Sequence, residues 1–228
     1  MRAVLYDLDG VLLDSTALMA AVLTDVAEAV LRLTPTDVAV AQVLSMPPVI
    51  ALHTLGVKDP QAAVAEHFDL SYARHAHLAT VAPGAVAVLR QLREAGIQQG
   101  IVTLQRRRRL QMLDLSSITP LVDTLVCYDD ASPKPSPAPI WRALTQLGVP
   151  RWQAWYVGDS ASDVVAGRAA GVRVAGATWG AHSAAILRHA GASRLLNHPS
   201  QIAVLATTDV VGAYPPDQFG AATTGPNE

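Results

Sequence analysis

Short apolar runs alternate with helical patterns along most of this 228-residue sequence. Runs of this length suit the strands of a sheet, and the helical patterns between them suit the right-handed crossovers that join parallel strands. The predicted strands cover residues 3–6, 100–103, 124–128, 154–157, 172–175 and 194–196. The alternation therefore predicts an α/β fold in which a parallel sheet is flanked by helices.

Two of the helices between these strands have clear ends. The helical pattern of residues 85–95 begins after Gly84 and stops before Gly96, and glycine commonly follows the last turn of a helix. In the other helix, Ser136 is placed to cap the first turn, Pro137 to occupy the first helical position and Gly148 to close the last turn. Both boundaries fit the α/β arrangement.

One long segment interrupts the alternation of strands and helices. Residues 15–82 carry only helical patterns, such as Leu18, Val22 and Val26 on one side of a helix. Proline disfavours helix continuation, and it marks the internal joints of this segment at residues 34–35, 46–48 and 58–60. We therefore expect a separate helical subdomain inserted after the first strand.

The predicted organisation has three parts. Residues 1–14 and 83–208 form the core, and residues 15–82 form an all-helical cap. Residues 209–228 are rich in Gly, Pro, Thr and Ala and have little to bury, so we expect a flexible tail.

Composition narrows the classes of partner. The formal net charge is -2 and the sequence has no long basic face, so we expect no nucleic-acid partner. We also expect no membrane partner, because no uncharged apolar stretch reaches spanning length. Cys127 is the single cysteine and suits a reducing compartment. The expectation is a cytoplasmic protein that is a monomer or a homodimer.

Acidic residues follow two of the predicted strands. Asp7 and Asp9 come after the first apolar run, where a plain polar turn is the alternative interpretation. Asp159 and Asp163 come after the run AWYVG, where helix capping is the alternative. The carboxyl ends of parallel strands meet at one edge of a sheet, so the four acids can converge there. Convergent carboxylates favour a hard divalent cation, and Mg²⁺ is the natural candidate.

Two further residues have suitable positions for the same site. Thr103 ends the strand in GIVTLQ, and Lys134 lies in the loop YDDASPKPSPAP, which prolines stiffen. A lone threonine or lysine usually carries no function. Together with the acids, however, they supply a nucleophile, an acid/base, a metal site, a neutral donor and a cation. These are the groups that transfer a phosphoryl group through an aspartyl phosphate.

The sequence resembles a known family, the haloacid dehalogenase superfamily, and within it the phosphoglycolate phosphatase-like hydrolases with a helical cap. The four motifs of the family stand in order as DLDGVLLDS, IVTLQ, SPKPSPAPI and VGDSASDVVAGRAAG. The resemblance covers nearly all of the chain before the tail. It implies a Rossmann-like core and a cap that encloses the site.

The resemblance also implies a role for each site residue. Asp7 would be the nucleophile and a Mg²⁺ ligand, and Asp9 the acid and base, with its backbone carbonyl on the metal. Asp159 would be the further carboxylate ligand, and Asp163 would support the ligands from behind without contacting the ion. Thr103, Leu104 and Lys134 would bind the substrate phosphate. Thr103 and Leu104 lie at the end of the predicted strand over residues 100–103, and Lys134 lies in the loop after the predicted strand over residues 124–128. Relatives often carry Asn where this chain has Leu104, so that contact would come from the backbone amide.

The function implied is a Mg²⁺-dependent phosphatase of small phosphorylated metabolites. It would hydrolyse phosphate monoesters, such as phosphoglycolate-like compounds or sugar phosphates, through an aspartyl-phosphate intermediate. A sugar-phosphate mutase of the β-phosphoglucomutase type is one alternative, because it uses the same two acids. A non-catalytic binding or regulatory member of the family is the other.

Basic residues near the predicted site have a functional and a structural interpretation. Residues 106–109 are four consecutive arginines, which are either a solvated helix face with acidic partners or, at Arg106, a contact for a substrate anion. Five basic residues of the predicted cap are also candidates to bind an acidic group of the substrate, although such residues are more often solvated or structural: His53, Lys58, Arg74, His75 and His77.

Overall fold

The computed structural model describes residues 1–207, which contain a six-stranded parallel sheet and a two-stranded ribbon. The strands are β1 (Ala3–Tyr6), β2 (Leu13–Asp14), β3 (Thr80–Val81), β4 (Gln98–Val102), β5 (Thr124–Val126), β6 (Ala154–Gly158), β7 (Arg173–Ala177) and β8 (Arg194–Leu196). The large sheet has the order β5-β4-β1-β6-β7-β8, with every neighbouring pair parallel. The predicted α/β fold is confirmed.

Helices make up most of the remaining described chain. The α-helices are α1 (Thr16–Leu31), α2 (Asp37–Val43), α3 (Pro48–Thr54), α4 (Pro60–Ala63), α5 (Asp69–His75), α6 (Ala85–Glu94), α7 (Arg107–Leu110), α8 (Ala138–Leu147), α9 (Ala161–Ala170), α10 (Ala184–Ala190) and α11 (Ile202–Thr207). A π-helical turn at Val64–Phe68 connects α4 to α5. None of the helices within residues 1–207 has both the length and the apolar character needed to cross a membrane.

The large sheet is covered on both faces, as its alternating side chains require. Ala3 and Leu5 of β1 belong to an apolar layer that includes residues of α8, α9 and α10. Val4 and Tyr6 belong to the layer on the opposite face, which includes residues of α6 and α11. The second layer continues without a break into α1, α3 and α5 of the helical segment. One apolar core therefore joins the sheet to the inserted helices.

All six predicted strands are observed, but several of them begin or end at residues other than those predicted. β4 begins two residues before the predicted start at residue 100, because the buried side chain of Gln99 has hydrogen-bond partners. Its Oε1 accepts a hydrogen bond from Tyr6 Oη at 2.8 Å, and its Nε2 donates to Leu89 O at 2.8 Å. The predicted strand 172–175 is observed one to two residues later, as β7.

Two further predicted boundaries were wrong. The strand predicted over residues 124–128 ends at Val126, since the Asp130 carboxylate accepts from Cys127 N at 2.9 Å and stabilises a 3₁₀ turn over Tyr128–Asp130. Ser136 was also wrong as the cap of α8, because Pro137 occupies the capping position and α8 begins one residue later. Gly148 closes this helix in the left-handed conformation, as predicted.

The helical segment enters and leaves the core through the short ribbon. Leu13 of β2 pairs with Val81 of β3, antiparallel. The prediction of helical patterns throughout residues 15–82 was therefore wrong at Thr80–Val81, where the ribbon closes the segment. The predicted tail, residues 209–228, lies outside the described residues.

Candidate active site

The ends of three neighbouring strands bring the predicted site residues to one edge of the sheet. Asp7 directly follows β1, Thr103 follows β4 and Asp159 follows β6. The strands β4 and β6 lie on either side of β1, and all three run in the same direction. Strand order reverses at β1, and this is the place where open α/β sheets bind ligands.

Lys134 is the buried cation of this edge. Only 1% of its side chain is exposed, and its Nζ lies 2.9 Å from Asp7 Oδ1 and 2.6 Å from Asp163 Oδ1. Burial alone would lower the pKa of Lys134, but the charges of Asp163 and Asp7 raise it above its ordinary value. Lys134 therefore stays charged and neutralises part of the acidic cluster.

Asp163 is the most enclosed acid of the cluster, with no exposed surface. Its Oδ1 also accepts a hydrogen bond from Tyr156 Oη at 2.8 Å, and its Oδ2 accepts from Ser160 Oγ at 2.6 Å and Ser160 N at 3.0 Å. Burial would raise the pKa of Asp163, but Lys134 and these donors lower it. Both carboxylate oxygens are thus held by protein groups, and Asp163 stays ionised beside Lys134.

Three of the acids form a cluster that could hold a metal ion. One carboxylate oxygen from each of Asp7, Asp159 and Asp163 lies within 4.8 Å of the others. Glycines let the backbone approach Asp159, because a Cβ at Gly10 or Gly180 would collide with its Oδ2. Hard carboxylate donors in a tight cradle fit a hard divalent cation such as Mg²⁺.

The ionisation of the cluster supports this fit. Burial raises the pKa of Asp7, with Lys134 opposing the shift and the neighbouring acids adding to it. Burial and the charge of Asp163 raise the pKa of Asp159 to about 7. Among residues 1–207, Lys134 is the cation that pairs with these acids. It leaves part of their negative charge without compensation, and a divalent ion would compensate it.

Asp9 stands apart from the carboxylate cluster. Its Oδ2 accepts a hydrogen bond from Gln105 Nε2 at 3.0 Å. Its Oδ1 is buried and, among the residues that the structure describes, has no hydrogen-bond partner. Burial raises the pKa of Asp9, which favours the protonated form that a general acid needs.

Thr103 and Leu104 occupy the loop after β4. Thr103 is buried, and its Oγ1 accepts a hydrogen bond from Gln105 N at 3.0 Å. Leu104 is half exposed, so its side chain is not held by the core. The structure places both residues beside the end of β1, and their predicted contacts with a phosphate remain predictions.

The four arginines each have an acidic partner. Arg106 Nη1 lies 3.5 Å from Asp129 Oδ1, and Arg107 Nη2 lies 2.6 Å from Asp130 Oδ2. Arg108 and Arg109 both pair with one residue of the helical segment, Asp69. The structure therefore agrees with the interpretation in which acids compensate these arginines.

The basic residues predicted for the cap include a group that is tied to structure. Arg74 Nη1 and His75 Nε2 each lie 2.9 Å from Asp25 Oδ2, and Ser71 Oγ donates to the same oxygen at 3.0 Å. These contacts join α5 to α1. Arg74 and His75 therefore stabilise helix packing in this structure.

Comparison with known proteins supplies the family. The family model described as haloacid dehalogenase-like hydrolase matches residues 4–177, which include all four motifs. The chain belongs to the haloacid dehalogenase-like hydrolase family. It is thus a hydrolase with a Rossmann-like core, as the motifs and the sheet order together indicate.

Several relatives of this haloacid dehalogenase-like hydrolase carry named activities. It is 32% identical over 184 residues to the pyrophosphatase PpaX of Bacillus velezensis, covering 78% of this chain and 84% of the relative. It is 30% identical over 201 residues to a phosphoglycolate phosphatase of Pseudomonas fluorescens, covering 78% of this chain and 70% of the relative. The relatives are therefore phosphatases and pyrophosphatases.

Solved structures share the fold of this haloacid dehalogenase-like hydrolase. A candidate phosphoglycolate phosphatase from Lactobacillus plantarum matches with a TM-score of 0.76 and 27% identity, covering 90% of this chain and 98% of that one. A candidate β-phosphoglucomutase from Thermotoga maritima matches with a TM-score of 0.70 and 26% identity, covering 91% of this chain and 99% of that one. Structures described as a phosphatase and as a mutase thus share this architecture.

Sequence reasoning missed several residues of the site. Tyr156 binds Lys134 and Asp163 from within β6, where its spacing is that of an ordinary core residue. Gln105 follows Thr103 by two residues in the quoted motif, but nothing in its type indicates a contact with Asp9. Ser160 had a readable signal, because a serine three residues before an acid is the pattern of a capping box.

Proposed function

We propose that this haloacid dehalogenase-like hydrolase is a Mg²⁺-dependent phosphatase of small phosphate monoesters that works through an aspartyl phosphate on Asp7. The observation that carries the proposal is the buried contact of Lys134 with both Asp7 and Asp163, beside the carboxylate of Asp159. A carboxylate in this environment is suited to accept a phosphoryl group, because the neighbouring cation balances the negative charge of that group.

In the first half of the reaction, the Asp7 carboxylate attacks phosphorus. A bond forms between a carboxylate oxygen of Asp7 and phosphorus, and the bond between phosphorus and the leaving oxygen breaks. Protonated Asp9 gives its proton to that oxygen, so that an alcohol departs. Leu8 N donates to Asp7 Oδ1 at 2.7 Å, which fixes the orientation of the nucleophile.

In the second half, water attacks phosphorus of the aspartyl phosphate. Asp9, now ionised, takes a proton from the water, and the bond between phosphorus and Asp7 breaks. Inorganic phosphate leaves, and both acids return to their starting states. Gln105 holds Asp9 through Oδ2, which leaves Oδ1 to exchange the proton.

Asp7, Asp159 and the backbone carbonyl of Asp9 would hold Mg²⁺, with Asp163 behind them. When bound, Mg²⁺ supplies positive charge that offsets the charge of the phosphoryl group. Thr103, the backbone amide of Leu104 and Lys134 would bind the remaining phosphoryl oxygens. These groups lie at or near the edge of the sheet where β1, β4 and β6 end.

Residues 15–82 would act as a lid over this edge. The contacts of Arg108 and Arg109 with Asp69 already join the helical segment to the loop region after β4. A lid excludes water and limits the size of the leaving group. Small phosphate monoesters are therefore the proposed substrates, with phosphoglycolate first because a relative is named for it. Pyrophosphate, a phosphoanhydride, is tested beside the monoesters because another relative is named as a pyrophosphatase.

The test is phosphate release from a panel of small monoesters and pyrophosphate, in Mg²⁺ and in chelator. We expect turnover of at least one compound in Mg²⁺ and none in chelator. Asp7→Asn should abolish turnover, whereas Asp114→Asn, at an exposed acid of the core, should not change it. The absence of turnover across the panel, or turnover that persists in Asp7→Asn, would contradict the proposal.

The alternative is a sugar-phosphate mutase, which the likeness to the Thermotoga maritima structure favours. A mutase would return the phosphoryl group to the sugar rather than to water. Sugar phosphates in the same panel distinguish the two functions, because a mutase gives an isomer with little free phosphate.

A further inference from the structure

His182 lies in the loop after β7, residues 178–183, beside one of the acids of the candidate metal site. The residue is partly buried, and its ring nitrogen Nδ1 accepts a hydrogen bond from Ala161 N at 3.0 Å. Because an amide N–H can only donate, Nδ1 is the unprotonated nitrogen of the ring. His182 is therefore a neutral acceptor in this structure.

The donor to His182 is the first residue of α9, the helix that begins two residues after Asp159. The first amides of a helix have no partner within the helix and need one from outside. Ser160 Oγ accepts from Asp163 N at 3.2 Å, and His182 accepts from Ala161. His182 thus caps α9 from a loop that lies about twenty residues further along the chain.

The same loop holds Asp159 at two points. Ala181 N donates to Asp159 Oδ2 at 2.7 Å, and His182 N donates to Asp159 O at 3.1 Å. Both the carboxylate and the main chain of Asp159 are therefore bound by two consecutive residues of the loop. The ring of His182 ties those two residues to α9, so loss of the ring contact would free the part of the loop that orients the carboxylate.

The other part of the loop contacts the chain that follows Asp9. Trp179 Nε1 donates to Val11 O at 3.2 Å, and a Cβ at Gly180 would lie 2.5 Å from Gly10 O. The loop thus joins the two chain segments that follow the acids of β1 and β6. His182 fixes the end of the loop that faces Asp159.

We propose that His182 is a positioning residue of the Mg²⁺ site, which holds Asp159 in the orientation that the ion would need. This inference rests on the proposed Mg²⁺-dependent phosphatase function. Carboxylates that bind a metal depend on the hydrogen bonds around them, and loss of such a partner commonly lowers metal affinity by about 10–100-fold. His182 acts through its own loop and not through contact with the ion.

Replacement of the ring acceptor tests the proposal. His182→Leu removes the acceptor, whereas His182→Asn keeps one, because the asparagine Oδ1 occupies nearly the same place along the side chain as the histidine Nδ1. The midpoint of thermal unfolding, measured without substrate over a series of Mg²⁺ concentrations, gives the Mg²⁺ dissociation constant of each variant. The constant should rise about tenfold or more in His182→Leu, which corresponds to about 1.4 kcal/mol, and stay near the wild-type value in His182→Asn.

Two results would overturn this role of His182. One is an unchanged dissociation constant in His182→Leu, and the other is an equal rise in His182→Leu and His182→Asn. Each variant is compared with its own midpoint in chelator, so a lower starting stability does not hide the response to Mg²⁺. His182→Ala, which fits any space that histidine occupies, replaces His182→Leu if the leucine prevents folding, and the same rise is expected.

The neighbouring residue supplies a matched control. Ser183 caps α10, since its Oγ accepts from Ile186 N at 3.4 Å. Ser183→Ala should lower the midpoint in chelator but leave the Mg²⁺ dissociation constant unchanged. A constant that rises as much in Ser183→Ala as in His182→Leu would show that general loosening of the loop is the cause, which contradicts a specific role for His182.

The same measurements separate this proposal from the proposed function. A wild type whose midpoint does not respond to Mg²⁺ contradicts the metal site and hence both proposals. A wild type that binds Mg²⁺ and releases phosphate, with an unchanged constant in His182→Leu, contradicts the role of His182 alone. A wild type that binds Mg²⁺ but hydrolyses no compound contradicts the phosphatase, whereas a raised constant in His182→Leu still supports the role of His182.

Discussion

At the scale of single residues, the buried charge of Lys134 links stability to activity. Its Nζ has two carboxylate partners and a contact with Tyr156 Oη at 3.0 Å. Lys134→Met would leave Asp7 and Asp163 without their cation, so the free energy of unfolding should fall by roughly 3–5 kcal/mol and turnover should be lost. Urea unfolding measures the change, and Lys58→Met, at an exposed lysine, is the control. A loss below about 1 kcal/mol would show that the contact is weaker than its geometry indicates.

The raised pKa values of Asp7 and Asp159 predict how stability depends on pH. In chelator, the unfolded chain releases these protons near the ordinary carboxyl pKa, while folded Asp159 keeps its proton until about pH 7. The unfolded state thus binds fewer protons between about pH 4 and pH 7, so the free energy of unfolding should fall as the pH rises through this window.

Addition of Mg²⁺ and one variant test whether these carboxylates cause the pH dependence of the free energy of unfolding. Because the ion binds ionised carboxylates, it should stabilise the protein more at pH 8 than at pH 5.5. Asp159→Asn should flatten the slope in chelator, which urea unfolding at several pH values measures. A stability that rises between pH 5 and pH 7 in chelator would contradict the assignment.

At the scale of elements, the loop after β7 closes around Asp159. Ala181 N donates to Asp159 Oδ2 at 2.7 Å, and a Cβ at Gly180 would collide with the same oxygen. Gly180→Ala should therefore displace the carboxylate and raise the Mg²⁺ concentration needed for half-maximal turnover by about tenfold. Gly96→Ala is the control, because Gly96 has a positive φ of 72° but open space around it. That variant should lose about 1 kcal/mol of stability and keep the Mg²⁺ requirement.

The same scale shows what sequence patterns can and cannot predict. β1 was predicted with its observed ends, because its apolar run stops at Asp7. The last predicted strand, near residues 194–196, coincides with β8. The start of β4 was missed, since a buried glutamine is readable only when its partners are known, and Tyr6 lies 93 residues away. The acids of the site were found because each follows a strand. Tyr156 was missed because its contacts with Lys134 and Asp163 join elements that are distant in the sequence.

At the scale of the whole molecule, one apolar core joins the sheet to the helical segment. Val4 and Tyr6 of β1 belong to the same cluster as Leu18 and Val22 of α1. The two parts should therefore unfold together in urea, as one cooperative transition. All four tryptophans lie outside the helical segment, at residues 141, 152, 155 and 179, so their fluorescence reports on the core alone.

Far-ultraviolet circular dichroism reports on the helices of both parts, so the two signals test this prediction. Their midpoints should coincide. A circular-dichroism transition that begins at a lower urea concentration than the fluorescence transition would show that residues 15–82 unfold as a unit of their own. Phosphate with Mg²⁺ should shift both midpoints upward together, because a ligand bound at the candidate active site stabilises the folded state as a whole.

The ribbon of β2 and β3 has a consequence for the diversity of such proteins. Leu13 pairs with Val81 and Asp14 with Thr80, so the chain departs and returns at adjacent points of the backbone. A different insertion spliced between these two points would leave the path of the large sheet unaltered, provided that its apolar side matched the surface it covers. Exchange of this one stretch between homologues is therefore a direct route to chimaeras with the same reaction centre and new substrate preferences.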